Sequence, residues 1–299
     1  MVDQQKERGA DFIKVYSLLP RDAYFAIADE ARKRGIPFAG HVPDSVTVAE
    51  ASDAGQKSIE HLTGVQFGCS AQGEAISAES QAATTHAAGA RLRMRAAETY
   101  DDAKAQSLFA RFVRNGTWQC PTLTLLRSVS HSNYPQRLND SRLMYMSKRW
   151  RSSWASMDDS SRETVDDWAA SRVYFSASLK LVGRMHRAGV SILAGTDVLN
   201  PYCFPGFSLH DELALLVEAG LSPMAALQAS TSNAARFMGQ LDRRGTIEPG
   251  KVADLVLLDK DPLADIHNTR SIQAIVLNGK LMPRAALDAM LVEAAEAAK

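Results

Sequence analysis

The chain has 299 residues, long enough for one large domain or two with a sizeable core. Its 34 basic and 34 acidic residues cancel, which argues against nucleic acid or another polyanion as partner. No apolar run reaches the ~18–20 residues that span a bilayer, and three cysteines without metal-ligand spacing, Cys69, Cys120 and Cys203, do not make a disulfide framework.

The opening "MVDQQKERGADFIKVY" has no basic leader followed by an apolar core, so it does not read as a secretory signal. It reads as the last turns of a helix, a stop at Gly9 and a strand around Lys14; a chain that starts in mid-helix is expected to lack its beginning. From Asp22 to Lys33 apolar residues at Ala23, Phe25, Ile27, Ala28 and Ala31 predict a helix closed by Gly35. "IPFAGHV" is a short strand, "SVTVAEASDAG" a short helix ending at Gly55, and "KSIEHL" another strand. Strands alternating with helices over short connections signal βαβ units and a parallel sheet.

The later units are longer. A helix-rich stretch from about 71 to 115 leads to a strand in "TWQCPTLTL", and a second helical stretch, about 141–188, carries Trp150, Trp154, Trp168, Tyr174 and Phe175. "VSILAGTDV" reads as a buried strand and "HDELALLVEAG" as an amphipathic helix. In "SPMAALQAST" a serine cap and a proline at the first position start another helix, followed by "SNAARFMG". After Gly239 the texture turns β-rich, with Asn278-Gly279 as a tight turn, and an alanine-rich helix closes the chain. The expected organisation is a β/α domain over 1–240, with helical insertions at about 71–115 and 141–188, and a β-domain with its terminal helix over 241–299.

Polar residues stand at the C-terminal ends of the parallel strands: Lys14, then His41 in "AGHVPD", His61 in "IEHL" and Asp197 in "AGTDV". In a β/α barrel these ends converge on the site. Imidazole and carboxylate suit zinc and similar divalent ions. Lys14, flanked by Phe12, Ile13, Val15 and Tyr16, is expected to be buried; desolvation would lower its pKa, and a neutral amine can add carbon dioxide to give a carbamate able to bridge two cations. Each residue alone also has a structural reading: a lysine reaching the rim or pairing with a carboxylate, satisfied histidines, an aspartate capping the next helix. Tyr16, two residues beyond Lys14 on the same face, could donate to a substrate carbonyl or carboxylate or pack in the core. His210 opens a helix and either reaches a substrate or marks the helix start. His86, His131, His186 and His267 lie away from strand ends and are taken as surface or structural.

The pieces "GADFIKVY", "AGHVPD", "IEHL", "ILAGTDV", "LHDELALLVEAGLSPMAALQASTSNAARFMG" and "GTIEPGKVADLVLLDKDPLADI" span nearly the whole chain in order. Together they resemble the amidohydrolase superfamily, in its imidazolonepropionase-like branch that includes metal-dependent Xaa-Pro dipeptidases. The resemblance implies an α/β fold, a TIM-type (β/α)8 metal-dependent hydrolase barrel beside a small β-sandwich. It implies a two-metal site, most simply zinc, with Lys14 as the carboxylated bridge, His41 and His61 on one metal, and Asp197 as ligand and proton shuttle. The family's first barrel strand carries a His-x-His pair, and none occurs here. Lys14 then falls on the fourth barrel strand, and the barrel is expected to be N-terminally incomplete, with about strands 4–8 and part of the sandwich present.

The function implied is hydrolysis of a carbon–nitrogen amide bond in a dipeptide, N-acyl amino acid or cyclic amide by metal-activated water. The alternatives are a catalytically incomplete fragment with a structural or assembly role, and an esterase using the same site. The expected partner is a small amide or peptide-like substrate, with no nucleic acid and no membrane. Homo-oligomerisation and compartment are left open. The helical insertions follow strand ends and are expected to form a lid whose aromatics line a pocket or pack helix on helix.

Overall fold

The computed structural model describes residues 1–83, 85–157 and 164–299. In chain order come α1 (Val2–Glu7), β1 (Ile13–Val15), α2 (Arg21–Arg34), β2 (Phe38–Gly40), α3 (Val48–Asp53), β3 (Ser58–Glu60), α4 (Val65–Gly68), α5 (Gly73–Ala82), α6 (His86–Glu98), α7 (Asp102–Asn115) and β4 (Trp118–Cys120). They are followed by α8 (Leu123–Ser130), α9 (Lys148–Met157), α10 (Val165–Arg187), α11 (Ser208–Glu218), α12 (Pro223–Ser230), α13 (Ser232–Phe237), β5 (Leu255–Leu258), β6 (Ile272–Leu277), β7 (Lys280–Pro283) and α14 (Arg284–Ala297). Contacts divide the chain into two compact units, Met1–Thr122 with Glu163–Leu193, and Leu123–Arg162 with Ala194–Lys299.

The first unit is built on a parallel sheet in the order β1-β2-β3-β4. Its register pairs Lys14 with Ala39, Gly40 with Ile59 and Ile59 with Gln119. The βαβ rhythm follows from sharp helix ends. Gly35 and Gly116 close α2 and α7 in the left-handed conformation that glycine adopts without a Cβ clash. Thr47 and Glu50 start α3 with a reciprocal capping box. Val15, Tyr24, Ile59, Phe109 and Phe112 are fully buried between strands and helices. A buried polar bracket holds β2 to β3. Gln56 accepts from the Tyr24 hydroxyl (2.7 Å) and donates through Nε2 to the carbonyls of Gly40 (2.9 Å) and Ser58 (3.0 Å).

Two sequence expectations change here. "VSILAGTDV" makes a single parallel bridge, Gln119 with Ile192, rather than a full strand. Leu193 still donates to Gln119, whereas Ala194 turns its N–H to Ala229, and Asp197 takes a left-handed turn. "TWQCPTLTL" is a strand only to Cys120, because Leu123 begins α8. Pro121 has no N–H for the ladder, and the Glu212 carboxylate accepts from the N–H groups of Leu123 (3.0 Å) and Thr124 (2.7 Å), satisfying two donors of the first helical turn.

In the second unit an antiparallel sheet, β5-β6-β7, turns at Asn278-Gly279, both at positive φ. Ser222 caps α12 with Pro223 at its first position. Trp154 is 1 % exposed, packs against Tyr202 and Phe204, and donates its indole N–H to Leu199 (3.0 Å). Trp168, Tyr174 and Phe175 are buried in the first unit. Trp154, Trp168, Tyr174 and Phe175 of the 141–188 stretch are thus packed in core. All three cysteines are buried thiols. No described helix is long and apolar enough to cross a membrane.

Candidate functional site

Because β1 to β4 run parallel, their C-terminal ends lie along one edge of the sheet. His41 is the first residue after β2, and its N–H donates to the Val15 carbonyl (3.1 Å). His61 is the first residue after β3, and its N–H donates to the Cys120 carbonyl (3.0 Å). Backbone pairing to the neighbouring strands therefore fixes where both imidazoles start. The rings meet edge to face, with centroids 4.8 Å apart at 85°. Tyr16 stacks on His41 at 4.0 Å. The Nδ1 atom of His41 is 2.6 Å from Ser17 Oγ, and that of His61 is 2.7 Å from Thr122 Oγ1.

Burial, with the positive charge of Lys14 adding to it, pushes the His61 imidazole down to about 4. The ring is therefore neutral at pH 7, as a metal ligand must be. Lys14 itself corrects the sequence reading, because it is exposed rather than buried. On the four-stranded sheet β1 is an edge strand, flanked only by β2 among the described strands, which leaves the Lys14 side chain open to solvent. Tyr16 is likewise 59 % exposed and covers His41 instead of packing in the core.

Asp197 and His210 belong to the second unit. Asp197 is half-buried at φ 48, and the Asn200 amide donates to its Oδ2 (2.7 Å) and to its carbonyl (2.9 Å). His210 Nδ1 is 3.0 Å from Thr269 Oγ1; burial, then Arg270, lowers its pKa against the opposing pull of Asp211. The Asp211 carboxylate pairs with Arg142 (2.6 Å), Arg270 (2.6 Å) and Arg127 (3.3 Å). Burial pushes that carboxyl up, and the arginines together hold it below its usual value. Glu212 is completely buried, and its carboxyl is pushed up to about 7 by burial although Thr124 and Leu123 donate to it. Of the remaining histidines, His131 bonds Ser130 and His267 bonds Asp265, while the side chain of His86 lies outside the described residues.

The structure thus brings His41, His61 and Tyr16 together, with the charge of Lys14 acting on His61. Sequence reading missed Ser17, Thr122 and Glu212, whose residue types carry no spacing signal. As a donor set, two imidazoles anchored at Nδ1 suit a divalent cation taken through Nε2. Among the described residues no group of three or more His, Cys, Asp and Glu is placed to hold a metal ion, so this pair and Lys14 are what the first unit offers.

The model of a family described as "Amidohydrolase family" matches residues 19–282. An imidazolonepropionase from Deinococcus deserti is 42% identical over 87 residues, 29% of this chain and 21% of that protein. Among solved structures, a Xaa-Pro dipeptidase with bound methionine in the active site matches with a TM-score of 0.60 at 18% identity, covering 94% of this chain and 56% of that one. A bottromycin amidohydrolase matches with a TM-score of 0.72 at 24% identity, covering 99% of this chain and 61% of that one. The chain therefore spans less than two thirds of the length of these relatives. The likeness shows a TIM-barrel-like α/β fold, carried here by the parallel sheet, with a separate antiparallel sheet.

Proposed function

The chain belongs to the amidohydrolase family, on its imidazolonepropionase-like and Xaa-Pro-dipeptidase-like side, and from that premise we propose that it hydrolyses a carbon–nitrogen amide bond with the help of a divalent metal, zinc in the simplest case. The substrate class is a small dipeptide, an N-acyl amino acid or a cyclic amide. The observation that carries the reading is the His41–His61 pair at adjacent parallel strand ends, with each ring bonded at Nδ1 and His61 held neutral.

In this reading His41 and His61 hold the metal, and Lys14, as its carbamate, is a further donor. The support for Lys14 is its place on β1, near enough to His61 for its charge to bear on that ring. When bound, the ion supplies Lewis-acid polarisation of the amide carbonyl and lowers the pKa of a water. Asp197, whose carboxylate accepts from the Asn200 amide, takes a proton from the attacking water in this reading and returns it to the leaving nitrogen. Tyr16 offers a phenolic O–H beside His41 to a substrate carbonyl or carboxylate. His210 is held by Thr269, which suits orientation of the helix start more than proton transfer.

A second reading, a structural or assembly role without turnover, draws on the absence of a three-donor group among the described residues. Elemental analysis of the purified protein after zinc loading and desalting, with turnover of Xaa-Pro dipeptides, N-acyl amino acids and a cyclic amide, separates the two. Retained zinc and chelator-sensitive amide cleavage are expected. No retained metal and no turnover would favour the second reading. In the variants His61→Ala and Lys14→Ala, retained zinc is expected to fall to a minor fraction of wild type. Full zinc content in Lys14→Ala would remove the carbamate from the site.

A further inference from the structure

We propose that Asn278, in the turn between β6 and β7, is a site of spontaneous covalent modification, where the asparagine converts to aspartate and isoaspartate, and that the fold protects the same dipeptide at Asn115. Asn-Gly occurs twice in the chain, at 115–116 and 278–279, and all four residues are exposed. Dipeptide and exposure therefore do not separate the two sites. The surroundings of the side chains do. Asn115 is the last residue of α7, and its amide donates to Ser52 Oγ (3.1 Å) and Asp53 Oδ1 (2.9 Å). Asn278 stands between the strands at φ 50, and its side-chain amide makes no hydrogen bond among the described residues. Its main-chain N–H donates to Asp254 Oδ1 (2.8 Å).

The Gly279 nitrogen, once it has given its proton to hydroxide, attacks Cγ of Asn278. A C–N bond forms, the Cγ–Nδ2 bond breaks, and the amide nitrogen leaves as ammonia with a proton from solvent. Water then opens the succinimide ring. Opening at Cγ gives aspartate, and opening at the main-chain carbonyl gives isoaspartate; no electrons change hands. Gly279 brings no Cβ to obstruct the attack, and its N–H meets the Ala253 carbonyl at 3.4 Å, beyond the usual hydrogen-bond range. At Asn115 the carboxamide must first leave two hydrogen bonds and the end of a helix. The product bears on the fold. It sets a second carboxylate beside Asp254, and isoaspartate adds a main-chain carbon to the turn that fixes the Leu277–Lys280 register.

Peptide mapping by mass spectrometry, with enzymatic labelling of isoaspartate, reads both sites in folded protein aged at mildly alkaline pH and in a sample aged alongside in guanidinium chloride. In the unfolded chain Asn115 and Asn278 are expected to react at similar rates. In the folded protein Asn278 is expected to outpace Asn115 by about tenfold or more, the factor that one or two net hydrogen bonds supply. Asn278→Gln, which moves the amide carbon one methylene further out, is expected to abolish the reaction at 278 and leave that at Asn115 unchanged. Equal rates at the two folded sites, or a folded Asn278 without isoaspartate, would overturn the proposal. A difference that persists undiminished in guanidinium chloride would overturn protection by the fold. In the modified fraction, isolated by anion exchange, hydrogen exchange at Leu277 and Lys280 is expected to quicken, and wild-type protection there would overturn the effect on the register.

Discussion

Glu212 places a carboxyl where no water reaches, and surrounds it with donors: Leu123 N–H, Thr124 N–H and the Thr124 hydroxyl. Burial raises its pKa from 4.5 to about 7. A folded-state pKa above the unfolded value means that the folded protein binds the extra proton. The contribution of Glu212 to stability is therefore greatest below about pH 4.5 and declines as the pH rises through about 7. Urea unfolding of wild type and Glu212→Gln between pH 5 and 8 should show this slope in wild type and a flatter one in the variant. Equal slopes would mean that the carboxyl does not titrate there. Glu212→Ala, which strands three buried donors, is expected to cost about 2–4 kcal/mol. At this scale the sequence disclosed part of the site. His41 and His61 stood out because imidazoles at strand ends break an apolar run. Ser17, Thr122 and Glu212 did not, because hydroxyls and carboxylates are common and their partners lie 24, 61 and 88–89 residues away. The burial expected for Lys14 failed because it depends on what lies beside β1, and flanking apolar residues do not report that.

Among the elements, β1 and β2 approach so closely that one position admits only glycine. Gly40 has φ 128, and a Cβ there would stand 2.3 Å from the Val15 carbonyl oxygen, the atom that accepts from His41 N–H. Gly40→Ala must therefore push β1 from β2. It is expected to cost more than about 2 kcal/mol in urea unfolding and to abolish the Tyr16–His41 stack, read as ring-current shifts of the His41 resonances. Unchanged stability and shifts would show that the strands tolerate the spacing. Several helices were legible because their boundaries are local: Gly35 at the end of α2, and Ser222 with Pro223 at the start of α12. "PTLTL" was read as strand because a short apolar run looks the same in either state. A carboxylate from α11 decides it for helix.

For the molecule as a whole, strand edges are the conspicuous liability. Among the described residues β1 ends the parallel sheet, with Phe12, Tyr16 and Leu18 exposed around it, and β5 and β7 end the antiparallel one, exposing Val256, Leu257 and Leu281. Apolar edges with open backbone groups template further pairing. The protein is expected to self-associate with rising concentration, and Leu257→Lys with Leu281→Lys to reduce that, read by light scattering. Indifference of the scattering to both substitutions would place the association elsewhere.

Local chemistry needs no tertiary partner, and so the sequence by itself determined the βαβ order, the caps and turns, the family, and the placing of His41 and His61 at strand ends. Tertiary structure alone decided that Lys14 is exposed, that "VSILAGTDV" makes one bridge, and that two hydroxyls from the outer strands meet two imidazoles from the inner ones. Each of these depends on which strand lies beside which, and short strands gain that neighbour only when the sheet assembles.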